Sequence, residues 1–533
     1  MPAAWLSRGL AGTGPPQPHG LRGRRDRARR PRRAGGRGRT DRAALRRPDG
    51  APGSRRPAPC HGVGHLVLGL GHLLGTAGAF GQERFLHHPD GKGGWRADRR
   101  ARQGKARPLK ALVLSHAHPA FSIGGAQVAS HNLFTGLKSL PGWQAHYMAG
   151  VGPPVARHAA TPLMSLGQAP DETLFWTGDY DWFHLGTTDL DGLMRHFERF
   201  LSDLRPDVVN FHHVMGLGIQ AIASVRRALG PVPIVMTLHE YLPICAHHGQ
   251  MIKARSHSLC LRASASDCGL CFPELGAAAM KRRELFIKSF FDRVDAFVSP
   301  SRFLLTRFED WGLPRQKLVM IENGLEGGPV APPRPLAEGR PRNRFAYFGQ
   351  LNPFKGIKVL VEAVTRIPDR IWGDAILYIF GGNLEHQPEE FQTQVRTLFR
   401  MAGRRLRFMG SYKSADLPHL MREVDWTIVP STWWENAPVV IQEAFHHGRP
   451  IIASDIGGMA EKVRDGIDGL HFRVSNPESL AETMIRALRD PALWDRLRAG
   501  IEPPTDAASA AREHARLFER LLTRQRTAGA NHG

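Results

Sequence analysis

STWWENAPVVIQEAFHHGRP (431–450) places Glu435 and Glu443 on either side of Pro438, with the apolar run VVIQEAF behind the proline and Gly448 at its end. Proline suits the first turn of a helix, where its missing N–H would have had no partner, and glycine commonly ends one. The residues just before, DWTIVPS (425–431), form a short apolar run of strand type. The unit therefore reads as strand, loop and helix. Glu435 lies in the loop leaving the strand's carboxyl end, and Glu443 lies about two turns inside. Between them the backbone N–H groups of residues 436–439 form an anion site at the helix start. Two carboxylates for hydroxyls, with amides for a diphosphate between them, suit a nucleotide sugar.

The same alternation extends outward in both directions. KALVLSHAH (110–118) reads as a strand, Gly124 and Gly125 as a turn, and AQVASHNLFTGLKSL (126–140) as a helix. PDVVNFHHV (206–214), VPIVMTLHE (232–240) and DAFVSPS (295–301) are further buried strands. After the Pro/Gly-rich stretch GLEGGPVAPPRPLAEGRPRN (324–343), the pattern restarts with NRFAYFGQL (343–351), KVLVEAVTRI (358–367), AILYIFGG (375–382), LRFMGSY (406–412) and PIIASDI (450–456). Short continuous apolar strands separated by helices indicate parallel sheets covered on both faces. The fold class is α/β: two facing, doubly wound, Rossmann-like domains with a cleft between the carboxyl ends of their strands. The expected divisions are a basic extension at 1–107, a first domain at 108–325 with a Cys-rich insertion at about 245–273, a linker at 326–343, a second domain at 344–505, and a C-terminal helix and tail at 506–533. From SLAETMIRALRD (479–490) onward the chain reads as helices that close the second domain.

The formal charge of +23 is unevenly placed. Residues 1–110 carry 25 Lys and Arg against 6 Asp and Glu, while the remaining 423 residues carry 47 against 43. The body is nearly neutral, so the charge gives no reason to expect a nucleic-acid partner. The extension is rich in Arg, Gly and Pro and has no apolar period, which predicts disorder. Two readings of it stand: a segment without function, or a patch attracted to RNA or anionic lipid. GVGHLVLGLGHLLGTAGAF (62–80) is too short and too broken by glycine to predict a membrane span. A cytoplasmic protein is expected, peripheral to the inner face of a membrane if KRRELFIKSFF (281–291) acts as a basic amphipathic helix; the other reading of that helix is an ordinary one.

These motifs together resemble family 4 of the retaining glycosyltransferases, the E-x7-E enzymes with the GT-B fold. IGGAQ (123–127) resembles the family's glycine turn, SPSRFL (299–304) and IENGL (321–325) its interdomain approach, and FGQLNPFKG (348–356) its donor-phosphate loop. ENAPVVIQEAFHHGRPIIASDIGGMAEKVRDGIDGLHF (435–472) resembles its donor-sugar segment. The resemblance runs from about Lys110 to about Arg489. It implies a hexosyltransferase-type enzyme in which Glu435, Lys355 and His239 serve catalysis. Glu435 would meet donor sugar hydroxyls, and Lys355 the leaving diphosphate. Asn436, Ala437 and Pro438 would meet sugar and phosphate, and Glu443 the ribose. Gly124, Gly125 and Gln350 complete the donor set. Gln350 replaces the family's Arg and Gln127 its Glu, so more falls on Lys355. His212 and His213 are weaker candidates than His239, and Trp433 and Trp434 are expected to pack. No metal is required for catalysis, because the family lacks a DxD carboxylate pair.

Cys245, Cys260, Cys268 and Cys271 fall together in LPICAHHGQMIKARSHSLCLRASASDCGLCFP (242–273), with His247, His248 and His257 as alternates. The C-x2-C end is a metal knuckle, and four thiolates can close a structural zinc site. Reduced free thiols are the other main reading.

The expected function is transfer, with retention, of a sugar from a UDP-, GDP- or ADP-sugar to a hydroxyl of a glycan or lipid-linked acceptor in polysaccharide biosynthesis. The rivals are a nucleotide-sugar epimerase or phosphorylase on the same architecture, and a sugar- or nucleic-acid-binding protein without catalysis.

Overall fold

The computed structural model describes residues 107–530 except Ile123, Pro153, Pro154, Ala159 and Gln168. The disorder expected of the extension and the reading of 62–80 fall outside the described residues.

Ten strands belong to the first half: β1 (Leu109–Ser115), β2 (Trp143–Val151), β3 (Leu163–Leu166), β4 (Ala169–Trp176), β5 (Tyr180–Asp181), β6 (Gly186–Thr187), β7 (Val208–Phe211), β8 (Ile234–Thr237), β9 (Ala296–Ser299) and β10 (Leu318–Met320). Strands β5 and β6 form a separate small ribbon, and the rest make one sheet in the order β10-β9-β8-β7-β1-β2-β4-β3. Every pairing in it is parallel except β3 with β4. Ala111, Leu112, Val113 and Leu114 of β1 are fully buried, as a strand covered by helices on both faces requires.

The second half adds β11 (Arg344–Phe348), β12 (Ile376–Phe380), β13 (Leu406–Gly410), β14 (Trp426–Val429), β15 (Ile451–Ser454) and β16 (Gly469–Phe472). Their all-parallel order is β13-β12-β11-β14-β15-β16. In each sheet the chain works outward from one central strand and then returns to its other side. The switch points lie between β1 and β7 and between β11 and β14. Loops diverge there in opposite directions, opening a crevice beyond the carboxyl ends of the strands.

One expectation is corrected. The helices Pro477–Arg489 and Leu493–Ala499 do pack into the second core, but the last helix, Ala507–Ala530, leaves it and covers the first domain. Its Ala511, Ala515, Phe518 and Leu521 join Trp143, Leu133 and Leu137 in that core. Small residues permit the approach: a methyl on Gly136 would stand 2.7 Å from Ala511 Cβ. Parts of the Pro/Gly stretch are also pinned to the second domain. Arg449 is fully buried and donates to the carbonyls of Ala331 (3.2 Å) and Pro332 (2.7 Å), while Arg334 pairs with buried Asp425 at 2.8 Å.

Among the described residues no helix is long and apolar enough to cross a membrane.

Candidate active site

Two loops meet at the second switch point. After β11, the Asn352 side chain accepts from the amides of Phe354 (3.0 Å) and Lys355 (3.1 Å), which winds Pro353–Lys355 into one tight turn. Gly356 follows at φ +71°, and a Cβ there would collide with the Pro430 carbonyl at the end of β14. Only glycine lets the turn lie against that strand end. The second loop crosses here, with Thr432 N donating to Phe354 O at 2.8 Å.

Lys355 Nζ lies 2.6 Å from Glu435 Oε1. Ser431 Oγ (2.7 Å) and Trp433 Nε1 (2.9 Å) donate to the same oxygen. Burial pushes the Glu435 carboxyl upward, but the charge and hydrogen bond of Lys355, with Ser431 and Trp433, outweigh it and hold the group below its ordinary value. Glu435 is thus an ionised, buried carboxylate with one oxygen saturated. Trp433 does more than the packing expected of it. The loop is backed by Gly458, whose amide donates to Glu435 O at 2.7 Å and whose Cβ would run into the Asn436 carbonyl.

The next residues reach the first domain. Asn436 Nδ2 donates to His239 O at 3.2 Å, and its Oδ1 accepts from Ser301 Oγ. Trp434 Nε1 donates to Cys260 O at 3.1 Å, and its ring lies 5.1 Å from that of Phe303. Ala437 leads to Pro438, which stands at the N-terminal boundary of the helix Val439–His446. The Gly124–Gly125 turn stands opposite that helix start: a methyl on Gly125 would sit 3.6 Å from Val439 Cγ2. Glu461 accepts the amides of Arg302 and Phe303, both at 2.8 Å, and so caps the helix Arg302–Asp310 across the domain boundary.

Glu443 stands apart from this group. Burial raises its carboxyl to about 7, and among the described residues it has no cation within 4.0 Å. Gln350 contributes its carbonyl to Tyr347 OH (2.6 Å).

Beside the first switch point, past the end of β8, His239 is held by a series of hydrogen bonds that starts on β7 and β8. Thr237 Oγ1 donates to Asn210 Oδ1 (3.1 Å), Asn210 Nδ2 lies 3.3 Å from His212 Nε2, and His212 Nδ1 lies 2.9 Å from His239 Nε2. With the Asn210 amide as donor, His212 Nε2 accepts, His212 Nδ1 donates, and His239 keeps its proton on Nδ1. Burial, with His213 and His514 nearby, lowers His239 to about 3, so its ring is a neutral hydrogen-bond donor. His213 instead pairs with Glu240 at 3.0 Å, and Gln127 contacts His116 at 3.0 Å. Asn210, Ser301, Ser431 and Glu461 were not legible as site residues, since isolated polar residues carry no spacing signal.

The four cysteines line one cavity of ≈ 50 Å³, together with His247, Met251 and Arg283. His248 and His257 do not line it. The sulfurs are not closed to ligand spacing: among the described residues, the set of three metal-ligating groups within 4.8 Å of one another is His118, His131 and Glu172. There the Ala120 amide donates to His118 Nδ1 at 3.0 Å, so Nε2 carries the proton and donates to Glu172 at 2.8 Å. That is a hydrogen-bonded pair, with the ligand nitrogen already engaged.

Two family models match the chain: "Glycosyl transferase 4-like domain" over residues 124–324 and "Glycosyl transferases group 1" over residues 333–502. Curated relatives include a D-inositol 3-phosphate glycosyltransferase of Corynebacterium glutamicum, 31% identical over 180 residues (33% of this chain, 40% of the relative). A phosphatidyl-myo-inositol mannosyltransferase of Mycobacterium leprae is 28% identical over 211 residues (38% and 54%). The match thus spans about half or less of these relatives' length. Among solved structures, sucrose-phosphate synthase from Thermosynechococcus elongatus superposes with a TM-score of 0.58 at 18% identity, covering 78% of this chain and all of that one. Anabaena HepE, solved with UDP and glucose, gives 0.53 at 16%, covering 77% of this chain and all of HepE. These likenesses show the GT-B fold, and with both models matched in order along it, the chain belongs to the group 1 glycosyltransferases of family 4.

Proposed function

We propose that the protein is a retaining glycosyltransferase that moves a sugar from a nucleotide-diphosphate sugar to a hydroxyl of a glycan or lipid-linked acceptor. The observation that carries this reading is the Lys355–Glu435 pair at the second switch point, in the loop that leads to the helix start facing Gly125. Lys355 keeps part of its side chain in solvent and has two further ammonium protons for a departing diphosphate. Negative charge grows on that group only as the glycosidic bond breaks, so a fixed cation lowers the barrier selectively. The second oxygen of Glu435 accepts sugar hydroxyls, and Glu443 accepts those of the ribose. His239, donating from Nδ1, steadies a sugar hydroxyl near the reacting carbon. The departing phosphate itself takes the acceptor proton on the same face, which retains configuration.

The two inositol-directed relatives support a polyol or lipid-linked polyol as acceptor, and the UDP in HepE makes UDP-sugars the first donors to try. The test is a melting-temperature panel of UDP, GDP, ADP and their sugars, followed by product analysis with inositol-containing and glycan acceptors. One nucleotide class should raise the melting temperature, and the new linkage should keep the donor's anomeric configuration. No response to any nucleotide, or donor altered without an acceptor, sinks the proposal; the second outcome would indicate an epimerase.

A further inference from the structure

We propose that Cys245, Cys260, Cys268 and Cys271 form a tetrahedral zinc–thiolate site that holds the Cys-rich segment against Trp434 of the donor loop. Three independent features converge on it. The first is placement: the thiols come from three separate stretches of the segment yet line one cavity. Cys268 and Cys271 stand three residues apart on the short helix Ala265–Cys271, on one face of it. Cys245 sits in the turn after Tyr241, and Cys260 is anchored by its amide to Met251 O at 2.8 Å.

The second feature is an unbalanced charge. Arg283 lines the same cavity and is only 3% exposed. Its guanidinium donates to three carbonyls, Phe183 O (2.6 Å), Pro243 O (2.8 Å) and Leu242 O (2.6 Å), and among the described residues no carboxylate lies within 4.0 Å of it. A buried cation without an anion is costly. When four thiols bind Zn²⁺ they release four protons, and the resulting centre carries a net charge of −2. That is the anion the cavity wants beside Arg283.

The third feature is the weak intrinsic order of the segment. Between Glu240 and Ser264 the backbone is turns and extended chain, with one isolated bridge, Ile252 to Leu259. Ile244, Met251 and Ile252 anchor the start of the segment in the core, but Leu261 (58%) and Leu270 (70%) face solvent, so the part after Ile252 has little apolar burial of its own. A metal cross-link supplies order where burial does not. Closing the sulfurs to ligand spacing requires the thiol side chains to rotate about χ1 and the turns that carry them to follow.

The consequence reaches the donor loop. The Cys260 carbonyl accepts from Trp434, next to Glu435, and the Leu261 carbonyl accepts from Arg307 at 2.8 Å. A fixed Cys260 therefore fixes Trp434.

Metal content is read without any donor, so this inference stands or falls separately from the proposed reaction. Elemental analysis of the full chain, purified without chelator, should find about one zinc per chain. Replacing it with cobalt should give thiolate charge-transfer and tetrahedral d–d absorption. The double variant C268S/C271S should lose the metal and melt at a lower temperature, and zinc stripping followed by zinc return should lower and then restore the wild-type melting temperature. Less than about a tenth of an equivalent in folded wild-type protein, iron in place of zinc, or a cobalt spectrum without thiolate bands overturns it. Should the double variant fail to fold, the cobalt spectrum of the wild type decides alone.

Discussion

Lys355 Nζ and Glu435 Oε1 are 2.6 Å apart although 80 residues separate them in sequence. The contact exists because β11 and β14 are neighbours at a switch point, so the loops that leave them share one crevice. Glu435 is buried and ionised, and Lys355 is the cation that keeps it so.

Lys355→Ala and Glu435→Ala should each lower kcat/KM by about a hundredfold or more. In Lys355→Ala the carboxyl of Glu435 loses the interaction that depresses it, so the acid limb of the pH–rate profile should move to higher pH. Steady-state kinetics across pH measures both effects, and near-normal rates in both variants would refute the assignment.

Glu443 is raised to about 7 from an ordinary 4.5. Between these values the unfolded chain is ionised and the folded one is not, so this group's contribution to stability falls as pH rises through that window. Glu443→Gln should therefore melt higher than wild type above about pH 7. Ribose hydroxyls favour the ionised carboxylate, so affinity for an intact nucleotide sugar should rise from about pH 6 to about pH 8 in wild type and stay flat in Glu443→Gln. Calorimetric titration at several pH values tests this.

His239, lowered to about 3, is neutral at every working pH, so no limb of the rate profile should titrate with it. Asn210→Leu removes the donor that orders the His212 ring. It should cost about 1 kcal/mol, roughly fivefold in kcat, with little change in donor KM. An unchanged kcat would deny Asn210 its positioning role.

Phe518 lies in the core of the first domain although it belongs to the chain's last helix. Phe518→Ala should destabilise the protein by about 3–5 kcal/mol. Chemical denaturation reads the loss, and hydrogen exchange should place it in strands β1 and β2. Faster exchange confined to β14 and β15 would put the helix on the wrong domain.

The alternating apolar runs and glycine punctuation made most central strands legible, because a strand buried on both faces is mostly apolar, with at most a polar residue such as Asn210 or Thr427 among its apolar neighbours. Val208–Phe211, Ile234–Thr237 and Trp426–Val429 are such strands. Strands β2 to β6 were not legible, since WQAHYMAGV and its neighbours mix polar residues that pair at the sheet's far side, as His146 does with Thr173 at 2.8 Å. The helix Gly192–Leu204 lay in the same unread region.

The sequence by itself determined the α/β class, the loop-then-helix setting of Glu435 and Glu443, and the glycines that let loops touch strands, because each depends on local spacing and backbone freedom. Tertiary structure alone decided that Lys355 and Glu435 share a proton-bearing contact, that Asn436 and Trp434 reach across to Ser301 and Cys260, and that the final helix returns to the first domain. Those outcomes depend on strand order and on which surfaces bury one another, and no local pattern encodes either.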